Sequence, residues 1–252
     1  MDDVTRVSAA KAAWDTSSDL DRRGTQQGFF RRAFRWIVHF LSYTFILSRP
    51  TIRTSYAAGF RLSVRPTVFH PKFFISSEKF ASFLDTLDLT GKRVCEIGTG
   101  TGILALAAAR AGAANVIATD INPNASLSAN ENAHANGLGD RVTGVCMNLM
   151  AAMAPQPLFD VILSSPPKHA GEPKDLTDRG WHAGPEYRDI KEMFDQARTR
   201  LKPDGRIYLM LSSDTNQELF ASLIAKAGFS QRKIKEYSLV VESLIIFELL
   251  PR

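Results

Sequence analysis

The run Glu96-Ile-Gly-Thr-Gly-Thr-Gly102 follows the hydrophobic stretch Lys92-Arg-Val-Cys95 and leads directly into Ile103-Leu-Ala-Leu-Ala-Ala-Ala-Arg110. The first stretch reads as a short buried strand, and the last as an apolar helix of strong helix formers. Glycine at every second position between them lets the backbone turn sharply and approach a ligand closely, because no Cβ stands in the way. A dinucleotide fingerprint would place a third glycine at position 103, where this chain has Ile103. The spacing here is acid-x-G-x-G-x-G.

Working outward, Asn115-Val-Ile-Ala-Thr-Asp120 reads as a second strand that ends in an acid, eighteen residues beyond Gly102. Loop and acid together resemble the first motifs of the class I S-adenosylmethionine-dependent methyltransferases. The resemblance covers residues 66–250 or so. It implies a doubly wound α/β fold with a seven-stranded, mostly parallel sheet, a Rossmann-like methyltransferase fold. It also implies cofactor contacts from Glu96, Gly98, Thr99, Gly100 and Gly102, with Asp120 on the two ribose hydroxyls. A carboxylate suits a vicinal diol because it accepts two charge-assisted hydrogen bonds at once. Ile121 is placed to pack on the adenine ring, and Asn148, just past the third strand, to accept from its amino group.

After the fourth strand comes Ser164-Ser165-Pro166-Pro167-Lys168. It resembles the (Asn/Asp/Ser)-Pro-Pro-aromatic motif of amino-methyltransferases acting on glutamine amides, adenine and cytosine, the release-factor-glutamine-methyltransferase-like group. In that group the polar side chain and the following carbonyl hold the acceptor nitrogen, which carries over to Ser165 and Pro166. This chain departs from the motif twice. Ser165 is shorter than the usual Asn or Asp, and Lys168 stands where an aromatic would stack on a planar acceptor. The connection that follows, residues 168–186, mixes His169, Asp178, Arg179, Trp181, His182 and Glu186, and is the expected acceptor lid. His169 and His182 are its candidate bases near neutral pH. Tyr187 is a candidate substitute for the missing aromatic. Upstream, Phe69 and His70 are expected to border the cofactor.

The chain has 252 residues, 44% of them apolar and 23% charged, enough for one large α/β core and typical of a globular protein. Its net charge of +5 is unevenly placed. Residues 1–70 hold 11 Lys/Arg against 5 Asp/Glu, and residues 71–252 hold 20 against 21. Basic charge in an arm suggests an anionic partner for the arm, while the catalytic body is near neutral. Cys95 and Cys146 both fall on expected buried strands, apart from any metal-like cluster, and read as inert thiols of a reducing compartment. No metal is expected in the reaction, and the start of the chain, with no apolar signal core, points to the cytoplasm.

Residues 1–65 read as an N-terminal basic and aromatic helical arm, and 66–252 as the methyltransferase domain. Within the arm, residues 28–49 form an apolar helix with a narrow polar stripe of Arg31, Arg35, His39 and Ser42. Its uncharged stretch is too short to span a bilayer, so it packs on the body, on a second copy, or on an anionic membrane surface. Residues 51–70, with alternation such as Phe60-Arg-Leu-Ser-Val-Arg65, suggest a short hairpin or an extended arm. Ser76 reads as the cap of a helix over 76–87, and strands and helices alternate from Lys92 onward to a closing hairpin near 231–249.

The sequence therefore suggests S-adenosylmethionine-dependent methyl transfer to a nitrogen or oxygen of a small or amphipathic acceptor. The alternatives are a protein or nucleic-acid N-methyltransferase, with nucleic acid the less favoured, and a cofactor-binding but inactive partner subunit.

Overall fold

The computed structural model describes residues 51–70, 75–239 and 242–252. The predicted helix at 28–49, with its membrane or self-association role, lies outside them. No helix among the described residues is long and apolar enough to cross a membrane.

A hairpin comes first, β1 (Arg53–Ala57) and β2 (Phe60–Val64), joined through Ala58 and Gly59, both at positive φ. Positive φ at both central residues matches the twist that a two-residue hairpin needs. Helix α1 (Ile75–Leu84) follows, then β3 (Arg93–Ile97), α2 (Ile103–Arg110), β4 (Asn115–Asp120), α3 (Pro123–Ala135), β5 (Val142–Cys146) and β6 (Phe159–Ser164). The chain ends with α4 (Arg188–Arg200), β7 (Leu201–Ser212), α5 (Gln217–Lys226), β8 (Phe229–Ser238) and β9 (Ser243–Pro251). Seven strands form one sheet in the order β5-β4-β3-β6-β7-β9-β8, in which β9 runs opposite to the other six. This is the expected doubly wound fold with its closing hairpin.

The sheet separates two apolar layers. On one side α1, α2 and α3 pack with Val94, Val116, Ala118, Tyr208 and Ile246. On the other, α4 and α5 cover Cys95, Ile162, Ile207 and Leu209. Helix α2 is buried at every position except Arg110, which explains its run of alanines: small side chains let it sit tightly between sheet and neighbouring helices. Gly102 caps it at φ +83, and a Cβ there would stand 2.9 Å from the Ala129 backbone. Any side chain would therefore push α2 and α3 apart.

The hairpin belongs to this core. Ala57, Phe60 and Leu62 are buried with α1 and α2, so the packed unit reaches upstream of the boundary drawn at residue 65. Arg110 stacks on Phe60 at 4.2 Å, donates to the Ala58 carbonyl and pairs with Asp85. Asn132, fully buried on α3, bonds Ser63 through both its amide oxygen and its nitrogen, and also donates to the Thr101 carbonyl at 2.8 Å. One side chain thus ties the hairpin to the glycine turn.

Two local expectations change. Helix α1 begins at Ile75, so Ser76 lies in its first turn and does not cap it. Cys146 ends β5 and is exposed, whereas Cys95 is fully buried, with its thiol pushed above the usual range by burial.

Candidate active site

A cleft of about 590 Å³ opens at the carboxyl ends of β3, β4, β6 and β7, where the strand order reverses on either side of β3. That is where open α/β sheets bind ligands. Its floor is the turn after β3. Gly98 and Gly100 have φ of +78 and +55, and a Cβ built on either meets nothing within 4 Å. The backbone there faces open space that a ligand can fill.

Glu96 and Asp120 hold this turn from two sides. The Glu96 carboxylate is buried and accepts from Thr99 Oγ1 at 2.6 Å and from the Ala105 amide at 3.0 Å. It thereby fastens the turn to the first turn of α2. Burial pushes its pKa up to about 8 against the pull of those two donors, with Asp120 adding to the rise, so Glu96 is largely protonated at neutral pH. Asp120 accepts from the Gly100 amide at 3.0 Å through one oxygen and from the Asn122 amide at 2.9 Å through the other. Burial raises its pKa while these amides pull it back. Asn122 caps α3 by accepting from Asn124, and donates to the Thr67 hydroxyl at 3.0 Å, which sets the upstream segment on the cleft wall.

Phe69, Ile121, Asn148, Ser165, Pro166 and His169 all line the cleft. Ser164 is buried, within hydrogen-bonding distance of the Ile97 carbonyl (3.2 Å), while Ser165 beside it is exposed to the opening. The Phe69 ring meets Trp181 edge-on at 4.6 Å and lies where a Cβ on Gly180 would be, 1.9 Å away. The upstream segment and the long connection thus meet on the cleft wall.

Four expectations are corrected. Gly102 does not line the cleft; it serves the α2–α3 contact. His70 is buried away from it. His182 also lies outside the lining: its Nδ1 is 3.1 Å from Asp178, and residues 182 and 169 pair as a bridge of two short backbone segments. In that bridge His169 N donates to Trp181 O and Ala183 N to His169 O, and the two imidazole rings lie side by side, their centres 6.1 Å apart, with His169 the one on the cleft wall. Tyr187 is buried against Phe220, with its hydroxyl donating to the Lys168 carbonyl, and does not replace the missing aromatic.

Sequence reading missed Glu242, Ser212 and Asp189. Lys168 Nζ lies 3.2 Å from Glu242 Oε2, and that oxygen also takes the Ser212 hydroxyl. Asp189 lines the cleft and is held by Arg179 at 3.3 Å and Arg188 at 3.1 Å. No motif marks these positions; they come from three distant segments.

The residues present fit S-adenosylmethionine. The glycine turn offers backbone and room, Asp120 offers acceptor oxygens, Ile121 and Leu149 give apolar walls, and Asn148 offers an amide.

Residues 81–165 match the family model of the ribosomal protein L11 methyltransferases. The L11 methyltransferase of Methylococcus capsulatus is 34% identical over 147 residues, 58% of this chain and 42% of that protein. That of Actinobacillus succinogenes is 55% identical over 60 residues, 24% of this chain and 20% of the relative. The chain thus spans less than half the length of these curated relatives. Among solved structures, a T. thermophilus 16S rRNA N2 G1207 methyltransferase, in complex with AdoMet and guanosine, superposes with a TM-score of 0.58 at 21% identity, over 79% of this chain and 50% of that one. The L11 methylase of Lactobacillus delbrueckii subsp. bulgaricus gives 0.51 at 22%, over 68% and 77%. The fold is that of the class I S-adenosylmethionine-dependent methyltransferases.

Proposed function

We propose that this chain transfers the methyl group of S-adenosylmethionine to a nitrogen of a protein. The observation that carries the reading is the turn at Gly98–Gly102, held by Asp120 and a buried Glu96, inside the segment that matches the L11 methyltransferase family. The named relatives act on a ribosomal protein, and this moves the acceptor from the small or amphipathic molecule expected from sequence to a macromolecule. The matched family model ends at Ser165 and is a different one from the glutamine- and adenine-directed group suggested by Ser165-Pro166-Pro167.

When bound, the cofactor supplies an activated methyl on a sulfonium, so the protein's contribution is mainly positioning. Asp120 and the 98–102 turn fix one end of the cleft. At the other, Ser165 presents a hydroxyl that can hold the acceptor nitrogen, on a backbone stiffened by Pro166 and Pro167. An acceptor that arrives protonated must lose its proton, and His169 is the imidazole on the cleft wall placed to take it. Phe69 and Trp181, packed edge to face on the cleft wall, give the acceptor an aromatic border.

The test is incubation with methyl-labelled S-adenosylmethionine and a cell extract, followed by protease, nuclease and solvent fractionation. Protease-sensitive label is the expected result. Label in lipid or small molecules would restore the earlier acceptor, and nuclease-sensitive label would make the acceptor a nucleic acid. Cofactor binding with no transfer to any fraction would favour a binding-only partner subunit.

A further inference from the structure

Strand β8 is the exposed edge of the sheet, and its register places Arg232 opposite Glu248, Lys235 opposite Ile246 and Tyr237 opposite Leu244. Ile246 and Leu244 belong to the apolar layer beneath α1, so the three β8 side chains face that side. In a regular strand residues 232 and 235 would point to opposite faces. The irregularity between Lys233 and Lys235 adds the residue that brings both cations to one face.

On that face the buried Glu248 carboxylate holds two guanidiniums, Arg206 at 3.0 Å and Arg232 at 2.6 Å. Nearer the cleft, Lys79 of α1 and Lys235 each place an ammonium 5.6 Å from the centre of the Tyr237 ring. Neither lysine has a carboxylate partner among the described residues. Lys233 and Glu236 pair with each other at 3.0 Å and sit opposite Phe247 and Ile245, on the other side. Four cations against one carboxylate leave this strip at +3, although residues 71–252 together carry −1. The strip ends at the cleft, because Leu244, the partner of Tyr237, and Leu239 both line it.

We propose that this strip docks the phosphate backbone of a single-stranded nucleic acid. A row of cations along an extended strand suits an evenly charged chain, and guanidiniums retain N–H forks that grip phosphate oxygens while Glu248 holds them in place. The inference is independent of the methyl acceptor: a protein acceptor that is bound to RNA would bring the backbone past the cleft, and so would a free strand.

The test uses the full chain and a fluorescent oligouridylate, with labelled duplex DNA and polyglutamate as comparisons, between about 50 and 200 mM salt. Oligouridylate is expected to bind more tightly than polyglutamate. Lys79→Gln and Lys235→Gln should each reduce the steepness of log affinity against log salt by about 0.7, the value of one single-strand phosphate contact, and together weaken binding about tenfold. Lys226→Gln, on α5 in the opposite layer, removes the same charge and should change neither. Unchanged cofactor affinity shows that each variant is folded, and the two single variants serve if the double one is not. Wild-type affinity and salt slope in both lysine variants would overturn the proposal and leave any binding to the basic arm. Tighter binding of polyglutamate would overturn it in favour of an acidic protein, and a preference for duplex would rule out a single strand.

Discussion

The Lys168 ammonium lies 3.2 Å from Glu242, joining the residue after the Pro-Pro step to a hairpin 74 positions away. The same carboxylate oxygen takes the Ser212 hydroxyl, so three segments meet at the acceptor end of the cleft. A charged, directional pair stands where the resembling enzymes have a flat aromatic. The pair is about one-third exposed on each side, so it contributes little to stability, and its effect should show in acceptor use.

Lys168→Tyr breaks this pair and adds a stacking surface. Methyl transfer to the protein acceptor should fall about tenfold in kcat/KM, equivalent to about 1.4 kcal/mol, with cofactor affinity unchanged. Glu242→Gln should reproduce the loss. Steady-state kinetics with calorimetric cofactor titration separates the two quantities, and an equal fall in both would place the pair in cofactor binding.

Asp120→Ala removes the acceptor for the Gly100 and Asn122 amides as well as the oxygens offered to the cofactor. Cofactor affinity should weaken at least about tenfold, as loss of a charge-assisted hydrogen bond predicts. Calorimetric titration decides, and unchanged affinity would remove Asp120 from the site.

Glu96 makes stability depend on pH with a definite sign. Its pKa is raised from 4.5 to about 8 by burial, so across that window the folded state keeps a proton that the unfolded chain has lost. Stability is therefore greatest below about 4.5 as far as this group is concerned, and it falls as pH rises to about 8. The slope from one such group is at most about 1.4 kcal/mol per pH unit. Glu96→Gln keeps an oxygen for Thr99 and Ala105 but does not titrate. Urea midpoints should decline with pH more steeply in the wild type than in this variant, and parallel profiles would show that Glu96 does not titrate in this range.

Gly180→Ala would place a Cβ 1.9 Å from the Phe69 ring. The ring must move, at a cost of about 1–3 kcal/mol for overpacking. Melting temperature should fall and cofactor KM should rise together, because Phe69 lines the cleft. A drop in melting temperature alone would limit Phe69 to packing.

Much of the fold and of the cofactor end was legible in the sequence because it is written in short-range patterns. The glycine spacing, the acid that ends β4, the Asn122-Pro123 helix start and the strand–helix alternation each depend on neighbours within one turn or one strand. The acceptor end was less legible. His169 and His182 look unrelated in the connection, yet a backbone bridge brings their rings to 6.1 Å, with His169 on the cleft wall and His182 beside it against Asp178.

The sequence alone determined a mostly parallel α/β sheet with a glycine turn after β3, since those elements are fixed by local propensity and by the apolar pattern. Only the tertiary structure decided that Gly102 serves helix packing, that Phe69 meets Trp181, and that Glu242 reaches Lys168. It likewise brought Lys79 to Tyr237, across an interface between a helix and the sheet edge. Such contacts depend on strand order, register and the irregularities that shift it. Each of these is set by burial of the whole apolar surface at once, and no local stretch encodes them.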